Sequence, residues 1–577
     1  MSTPAGFPEA PPAVPATPLK ELDVIVAKLV SRKAAFAALS VPERLVLLDA
    51  IIDRLFENQD AWAALESRAK GAWPDSLGYG EVYMSGPVPT SRHLRMLKLA
   101  LADVRDFGAP RADKRAMSVR EDGRLVVNVM PYDLWDRAAF LGYSADVWME
   151  PGVTKETLKA NQAEAYRKPN LVGKLSLVLG AGNQSSIPMT DALHKLFVDN
   201  SVVLIKMNPV NEYLGPVFRK IFAPLVDQGF LEVVYGGAEQ GAYLCNHADV
   251  DDIHITGSDQ THDAIVWGPR EGREDRKKRG ERACTKPISS ELGNVTPIVI
   301  VPGEWSDSDI AFHAESVAAM VSNNASFNCI AGKLLVTPKD WKQRDAFMTA
   351  LRQALRDTPP KKAYYPGARD RWQKFIDGHT QAETLGKDGP DVVPWTLIPN
   401  LDAVNKDDPC FRVEPFCGVL HEVALPGDTA VDFLPRAVKF CNDTVWGTLA
   451  AHVIIHPSTR KDPASEAAFQ HALDDLRYGT IAVNQWAGLG FGLMNTTWGA
   501  HPGHTLEDIQ SGIGSVHNTF LFDKAQKSVV WAPFRPLMKP VWFHTHRGTP
   551  KLAAPLVRYS ARPSVLRLLK ILPHAMG

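Results

Sequence analysis

The feature that most constrains the fold is a repeated strand–helix alternation that begins near Lys174. "KLSLVLG" is a short apolar run of strand type. "SIPMTDALHKLFV" follows with helical spacing and carries Pro188 in its first turn, where a missing N–H costs nothing. "SVVLIKM", "LEVVYGG" and "DDIHITGS" read as further strands, with "YLGPVFRKIFAPLVDQG" as a helix between the first two. Strands joined through helices must run parallel, and a parallel sheet needs helices on both faces. A second block repeats the rhythm in "TPIVIV", "DIAFHAESVAAMVSNN", "GKLLVTP", "GVLHEVAL", "AHVIIHP" and "GTIAVNQ". Two α/β blocks predict a cofactor domain and a catalytic domain with a cleft between them. No repeat at a fixed period is present.

The flanks differ from these blocks. Residues 1–18, rich in Pro and Ala, have neither a basic start nor an apolar stretch of signal-peptide type, and read as a disordered leader. "LDVIVAKLVSRKAAFAAL" and "PERLVLLDAIIDRLFENQDAWAAL" have helical periodicity. No apolar run is long enough for a transmembrane helix. The net charge of −1 does not suggest nucleic acid. Its distribution is uneven: Lys524–Gly577 holds ten basic residues and no Asp or Glu, which leaves −11 on residues 1–523. Such a tail docks on the acidic body or on a neighbouring subunit, or touches a membrane surface. The charge run 267–286 reads as a solvated loop. The six cysteines form no CxxC pair, so reduced thiols and a reducing compartment are expected, with no metal site.

Several residues could carry chemistry. Cys329 in "ASFNCIAGKLL", taken alone, reads as a small core hydrophobe. "LGAGN" follows a strand and opens a helix, but Ser185 stands where the third glycine of a dinucleotide fingerprint would be. Asn183 at that turn is either a helix cap or an amide donor to a developing oxyanion. Glu291 in "SSELGN" enters a buried strand, where partial burial gives a carboxylate the raised pKa of a general base, or it is a capping residue. In "EPFCGVL", Glu414 could accept hydrogen bonds from sugar hydroxyls, and Phe416 offers a flat apolar face or simply packs in the core.

In this order, "GAGN", "VVLIKMNP", "ITGS", "ELGN", "FNCIAGK", "EPFCGVL" and "GTIAVN" resemble the motifs of the aldehyde dehydrogenase superfamily, over roughly residues 20–510. "NDTVWGTLAAHVI" is similar to a further family segment. The resemblance implies an aldehyde dehydrogenase-like α/β fold with two parallel-sheet domains and an oligomerisation element. It implies Cys329 as nucleophile, Glu291 as general base and Asn183 as oxyanion donor beside the Cys329 N–H. Glu414 would hold the nicotinamide ribose with Phe416 beside it. Lys206 would contact the adenosine ribose, and Gly257 and Ser258 the pyrophosphate turn. The implied reaction is NAD- or NADP-dependent oxidation of an aldehyde to a carboxylic acid through a cysteine thiohemiacetal and thioester. A CoA-acylating relative and an inactive scaffold are the alternatives; acylating members often lack the base that Glu291 supplies.

The chain departs from the family pattern at Asn294, at Ser326-Phe327 before the nucleophile, at Gly182 before Asn183, and at Pro209, where an acidic residue is usual. Phe327 and Trp486 are expected to flank the substrate pocket and suit an apolar or aromatic aldehyde. The expected organisation is a leader over 1–18 and a nucleotide-binding domain over 19–290. Within that domain, 128–165 is an oligomerisation or pocket-covering element. A catalytic domain spans 291–483, a return to the cofactor region 484–523, and a basic extension 524–577. The implied assembly is a cytoplasmic homodimer or homotetramer, with peripheral membrane contact through 524–577 as a second reading.

Overall fold

The computed structural model describes residues 6–577. Two sheets organise the chain, as the two strand–helix blocks predict. The smaller has six strands: β1 (Leu175–Leu179), β2 (Val202–Lys206), β3 (Leu231–Val234), β4 (Asp252–Thr256), β5 (Ile288–Glu291) and β6 (Gly512–Ile513). Their order is β6-β5-β4-β1-β2-β3, parallel except for β6. From β1 the chain winds outward through β2 and β3, then crosses back to β4. The crevice between the carboxyl ends of β1 and β4 is thus a topological switch point, where open α/β sheets bind ligands. β1 and β2 are buried on both faces, which explains their near-continuous apolar sequence.

The larger sheet has eleven strands. Its centre is Thr480–Val483, Ala450–Ile454, Pro297–Ile300, Leu334–Pro338 and Val419–Leu425, side by side and parallel. These are the five strands of the second sequence block. The segment 128–165 extends this sheet: Leu125–Met130 pairs antiparallel with Ser144–Met149. Between Ser144–Met149 and Thr480–Val483 lies Ala525–Trp531, antiparallel to the first and parallel to the second. The basic extension therefore begins as an interior strand.

The rest of the extension is docked on the body. Phe534 is buried against Trp305 and His313. The Thr549–Ala561 helix packs on the Leu77–Ser85 and Pro87–Phe107 helices. Arg562 pairs with Asp53 at 2.5 Å and Asp49 at 3.2 Å, Arg535 with Asp309 at 3.2 Å, and Lys539 with Glu315 at 3.1 Å. The charge asymmetry is partly neutralised within one chain. No helix among the described residues is long and apolar enough to cross a membrane.

The expectation of a disordered leader is corrected for the part of it that the structure describes. The Thr17 N–H donates to the Tyr235 carbonyl at 3.1 Å, and the Tyr235 N–H returns a bond to Thr17 Oγ1 at 3.0 Å. The Val14 N–H donates to Glu212 Oε1 at 3.1 Å. Proline-rich chain needs few such bonds, because its backbone is already stiff. Residues 1–5 lie outside the described residues.

Candidate active site

Cys329 lies in a loop between the Asp307–Ser322 helix and the Leu334–Pro338 strand. The loop is tightly wound: Asn324, Ala325 and Ser326 have φ of 52°, 53° and 69°. Three successive non-glycine residues in the left-handed region are costly and persist only when neighbours hold them. Ser326 occupies the position the resemblance gives to glycine, and its backbone shows why glycine suits it.

The buried side chain of Lys333 supplies part of the restraint. Its ammonium donates to the Ser326 carbonyl and to Ser326 Oγ, both at 2.8 Å. Asn324 donates to the carbonyls of Asn183 and Phe327, each at 3.0 Å. Tyr364 also donates to the Asn183 carbonyl at 3.0 Å. The Asn328 amide binds Asn323, and Gln184 donates to Asn328 Oδ1. This amide network fastens the turn after β1 to the Cys329 loop.

Cys329 Sγ lies 3.3 Å from Glu291 Oε1, with the thiol as donor. Glu291 ends β5 and is buried; its other oxygen, Oε2, makes no hydrogen bond within the protein. Burial, with the Asp191 charge adding to it, raises its pKa to about 7, against the Trp498 indole and the Cys329 thiol. Burial and then the charge of Glu291 push the Cys329 thiol well above its ordinary value. The resting pair is therefore a thiol facing a carboxyl poised near neutrality. Glu291 is placed to take the thiol proton and so form a thiolate.

Asn183 follows β1 through "LGAGN" and is buried. One of its amide hydrogens goes to the Phe327 carbonyl at 2.9 Å, which aims the group at the Cys329 loop. Gly182 before it has a packing reason. A Cβ there would lie 2.7 Å from Asn208 Oδ1 and 2.9 Å from Val210 Cβ. At the other departure, Asn294 donates to the Ala450 carbonyl at 2.8 Å beside Gly447, where a side chain would collide with it.

Glu414 lies over the backbone of Gly293, where a Cβ would meet its carboxylate. Its Oε1 is buried without a hydrogen-bond partner. Burial raises the Glu414 pKa and lowers that of Lys333, while each charge opposes the other's shift. Lys206 ends β2, buried; burial lowers its pKa and Glu212 opposes this. Gly257 and Ser258 follow β4. The Gly257 N–H donates to the Glu291 carbonyl at 3.0 Å, and Ser258 caps the Asp259–Trp267 helix. These three lie along the carboxyl edge of the smaller sheet, the edge at which Glu291 also ends its strand.

A cavity of ≈ 280 Å³ opens from Cys329 and Glu291. Trp486 lines it, anchored by its indole N–H on the Ile330 carbonyl at 2.9 Å. Phe327 is corrected as a pocket residue. Its ring is buried against Tyr364, Tyr365 and Phe416 at 5.0, 5.6 and 5.8 Å, while Asn328, Cys329 and Ile330 after it line the cavity. A residue two positions before the nucleophile points away because the left-handed turn reverses the chain. Phe416, at φ 43°, belongs to the same aromatic group.

Sequence reasoning missed Lys333, Gln184, Trp498 and the cavity wall formed by 538–575. For Lys333 a signal existed: a lysine opening the buried run "KLLVTP" must find partners. A separate trio, His379, Asp408 and Cys410, has donor atoms within 4.8 Å of one another. His379 Nε2 lies 3.2 Å from Asp408, which also caps the Pro409–Arg412 helix, so the trio is satisfied by its own hydrogen bonds.

Residues 156–368, which include Asn183, Lys206, Glu291 and Cys329, match the model of the aldehyde dehydrogenase family. Over this part of its length the chain is similar to the aldehyde dehydrogenase family. Similar relatives include aldehyde dehydrogenase family 2 member B4, mitochondrial, of Arabidopsis thaliana, 24% identical over 285 residues, 47% of either protein. Aminoaldehyde dehydrogenase 1, peroxisomal, of Pisum sativum is 25% identical over 314 residues, 50% of this chain and 56% of the other. The chain thus spans about half the length of the curated relatives it matches. The likeness of fold extends further. A mutant of aldehyde dehydrogenase C of Pseudomonas syringae, solved with NAD+ and octanal, is 16% identical, with a TM-score of 0.59 over 93% of this chain and 95% of that one. The NADP-dependent glyceraldehyde-3-phosphate dehydrogenase of Bacillus halodurans, solved with NADP, is 17% identical, with a TM-score of 0.58 over 90% and 92%.

Proposed function

We propose that the protein oxidises an aldehyde to a carboxylic acid, with NAD or NADP as oxidant. The observation that carries this reading is the 3.3 Å contact between Cys329 and a Glu291 poised near pH 7 at the floor of a cavity, with Asn183 bonded to the same loop at the Phe327 carbonyl. Glu291 takes the thiol proton as Cys329 Sγ bonds to the carbonyl carbon. The oxygen of the resulting thiohemiacetal gains negative charge, which the second Asn183 N–H and the Cys329 N–H stabilise. After oxidation to the thioester, Glu291 releases the thiol proton to solvent and takes a second one from water; the hydroxide oxygen bonds to the acyl carbon, the C–S bond breaks, and the leaving Cys329 thiolate regains a proton as the acid departs.

The residues suit a nicotinamide dinucleotide. Glu414 holds one carboxylate oxygen buried and free for a hydroxyl donor, and Gly293 beneath it leaves room for close approach. Lys206, Gly257 and Ser258 flank the same sheet edge, where the helix start at Ser258 suits a phosphate. When bound, the nicotinamide accepts the hydride that the thiohemiacetal loses. NAD and NADP both remain within the proposal, since Pro209 stands where an acidic residue would select against a 2′-phosphate.

The name of the Pisum relative points to cationic aldehydes, and the octanal in the Pseudomonas structure to an apolar one. A homo-oligomer of the superfamily type is part of the proposal. The six free cysteines support a reducing, cytoplasmic setting. The exposed Val565, Leu566 and Leu569 beside Lys570 support peripheral contact with a lipid surface, which co-sedimentation with anionic vesicles tests.

The central test is nicotinamide reduction across an aldehyde panel, with and without CoA, for wild type and Cys329→Ala. Turnover without CoA that Cys329→Ala abolishes is expected. Turnover that demands CoA would replace the hydrolytic reading with the acylating one. Absence of both turnover and cofactor binding would leave an inactive scaffold.

A further inference from the structure

We infer that residues 538–575 are the specificity-determining wall of this site, and that the aldehyde they select carries a neutral, apolar chain. The inference rests on the proposed aldehyde oxidation. At its floor the cavity offers Cys329, Glu291, Asn328 and Gln184. Beyond them the walls turn apolar, with Trp486, Phe491 and Phe140 contributed by the body. The far wall comes from the basic extension: Trp542, Leu552, Leu556, Leu568 and Ile571. A chain attached at Cys329 that fills the space must lie against these residues.

The charges on the wall give the second half of the argument. Arg92 is bound by Asp136 at 2.7 and 2.9 Å, and Arg95 by Asp133. Lys361 pairs with Glu81 at 2.5 Å, and Lys539 with Glu315 at 3.1 Å. Burial lowers the pKa of His544 and favours its neutral ring. Each of these cations already has its anion, so a carboxylate or ammonium at the far end of a substrate would enter an apolar space without a counter-ion, which is costly. A hydrocarbon chain loses nothing there and gains by leaving water.

The extension is held so that it can act as a wall. Its first strand is fixed within the larger sheet, and Trp542 lies tilted against Trp486 at 6.1 Å between centroids. The Thr549–Ala561 helix is tied by the Tyr559 hydroxyl to the Trp135 carbonyl at 2.8 Å. A wall anchored at both ends sets a length limit as well as a polarity.

The test compares kcat/KM for acetaldehyde, hexanal and decanal with those for succinic semialdehyde and an aminoaldehyde. The expected result is a rise of about two- to fourfold per added methylene until the cavity is full. The charged aldehydes should fall at least tenfold below a hydrocarbon aldehyde of similar length. Leu556→Glu and, as a second variant, Leu568→Glu should flatten the chain-length series. Calorimetric titration with decanol reads the wall without catalysis, and either variant should weaken binding at least tenfold. Aldehyde turnover with a flat series, or with charged substrates equal to apolar ones, overturns the inference and leaves the activity standing. If no aldehyde turns over, the proposed activity fails, and decanol binding unchanged by both variants would overturn the apolar wall too.

Discussion

Cys329 Sγ and Glu291 Oε1 are 3.3 Å apart, and they act on each other unequally: the charge of Glu291 raises the proton affinity of the thiol, while the thiol hydrogen bond lowers that of Glu291, which burial holds near neutrality. One proton shared between them decides whether the nucleophile is ready. The consequences for rate and for stability have opposite signs.

The rate should rise as Glu291 loses its proton. We expect kcat/KM to increase through about pH 7, and Glu291→Gln to abolish that limb and slow deacylation more than the first burst of reduced nicotinamide. Burst and steady state falling together would assign Glu291 a different role. Stability runs the other way. The folded-state pKa lies above the unfolded one, so the contribution of Glu291 is fully present below about pH 4.5 and lost as pH rises through about 7. Glu291→Gln should therefore stabilise the fold by up to about 3 kcal/mol above pH 7 and change little at pH 4. Denaturant unfolding at the two pH values measures it.

Asn183→Ala removes the proposed oxyanion donor and the bond to the Phe327 carbonyl. A drop of about 10²–10³ in kcat is expected, with a smaller change in KM. A KM effect alone would make Asn183 a binding residue.

Lys333→Met leaves the Ser326 carbonyl and hydroxyl without their shared donor and Glu414 without its neighbouring cation. The loss of charged hydrogen bonds, about 1.5–3 kcal/mol each, should lower stability and loosen the left-handed turn. The reactivity of Cys329 toward an alkylating agent should change with it. An unchanged alkylation rate would remove Lys333 from the positioning of Cys329.

Acid should unfold the protein early. His93 and His313 are buried, and neither ring makes a hydrogen bond within the protein; burial holds both near pKa 3, and His421 likewise. Each depressed pKa means stability that is present above about pH 6.5 and lost as pH falls toward 3. At pH 5 each group costs about 2 kcal/mol, and three together approach the net stability of a typical domain, about 5–15 kcal/mol. The melting temperature should fall steeply between pH 6.5 and 5; a flat profile contradicts this.

The parallel strands were readable because they are buried on both faces and advertise themselves as apolar runs. Cys329, Glu291, Asn183 and Glu414 stood out only as an ordered set of motifs, since each alone has an ordinary structural role. What hid was tertiary. The side-chain direction of Phe327 depends on three left-handed residues that sequence does not reveal. The strand Ala525–Trp531 begins in a polar, basic context, and its partners lie far away in the chain. The apolar wall at 552–571 looked like a surface helix because its other side is exposed at Leu566 and Leu569.

The position of that strand bears on how the chain is made. Trp531 bonds through its indole N–H to Asp146 at 2.9 Å across 385 residues, and the strands around both residues complete the larger sheet. While the ribosome is still adding residues, the edge strands 117–149 have no inner neighbour to pair with. They must wait for almost the entire polypeptide, with an open strand edge in the interval. Closure of the larger sheet is thus a late, post-synthetic event, and shielding of the nascent amino-terminal third is where a folding helper would matter most.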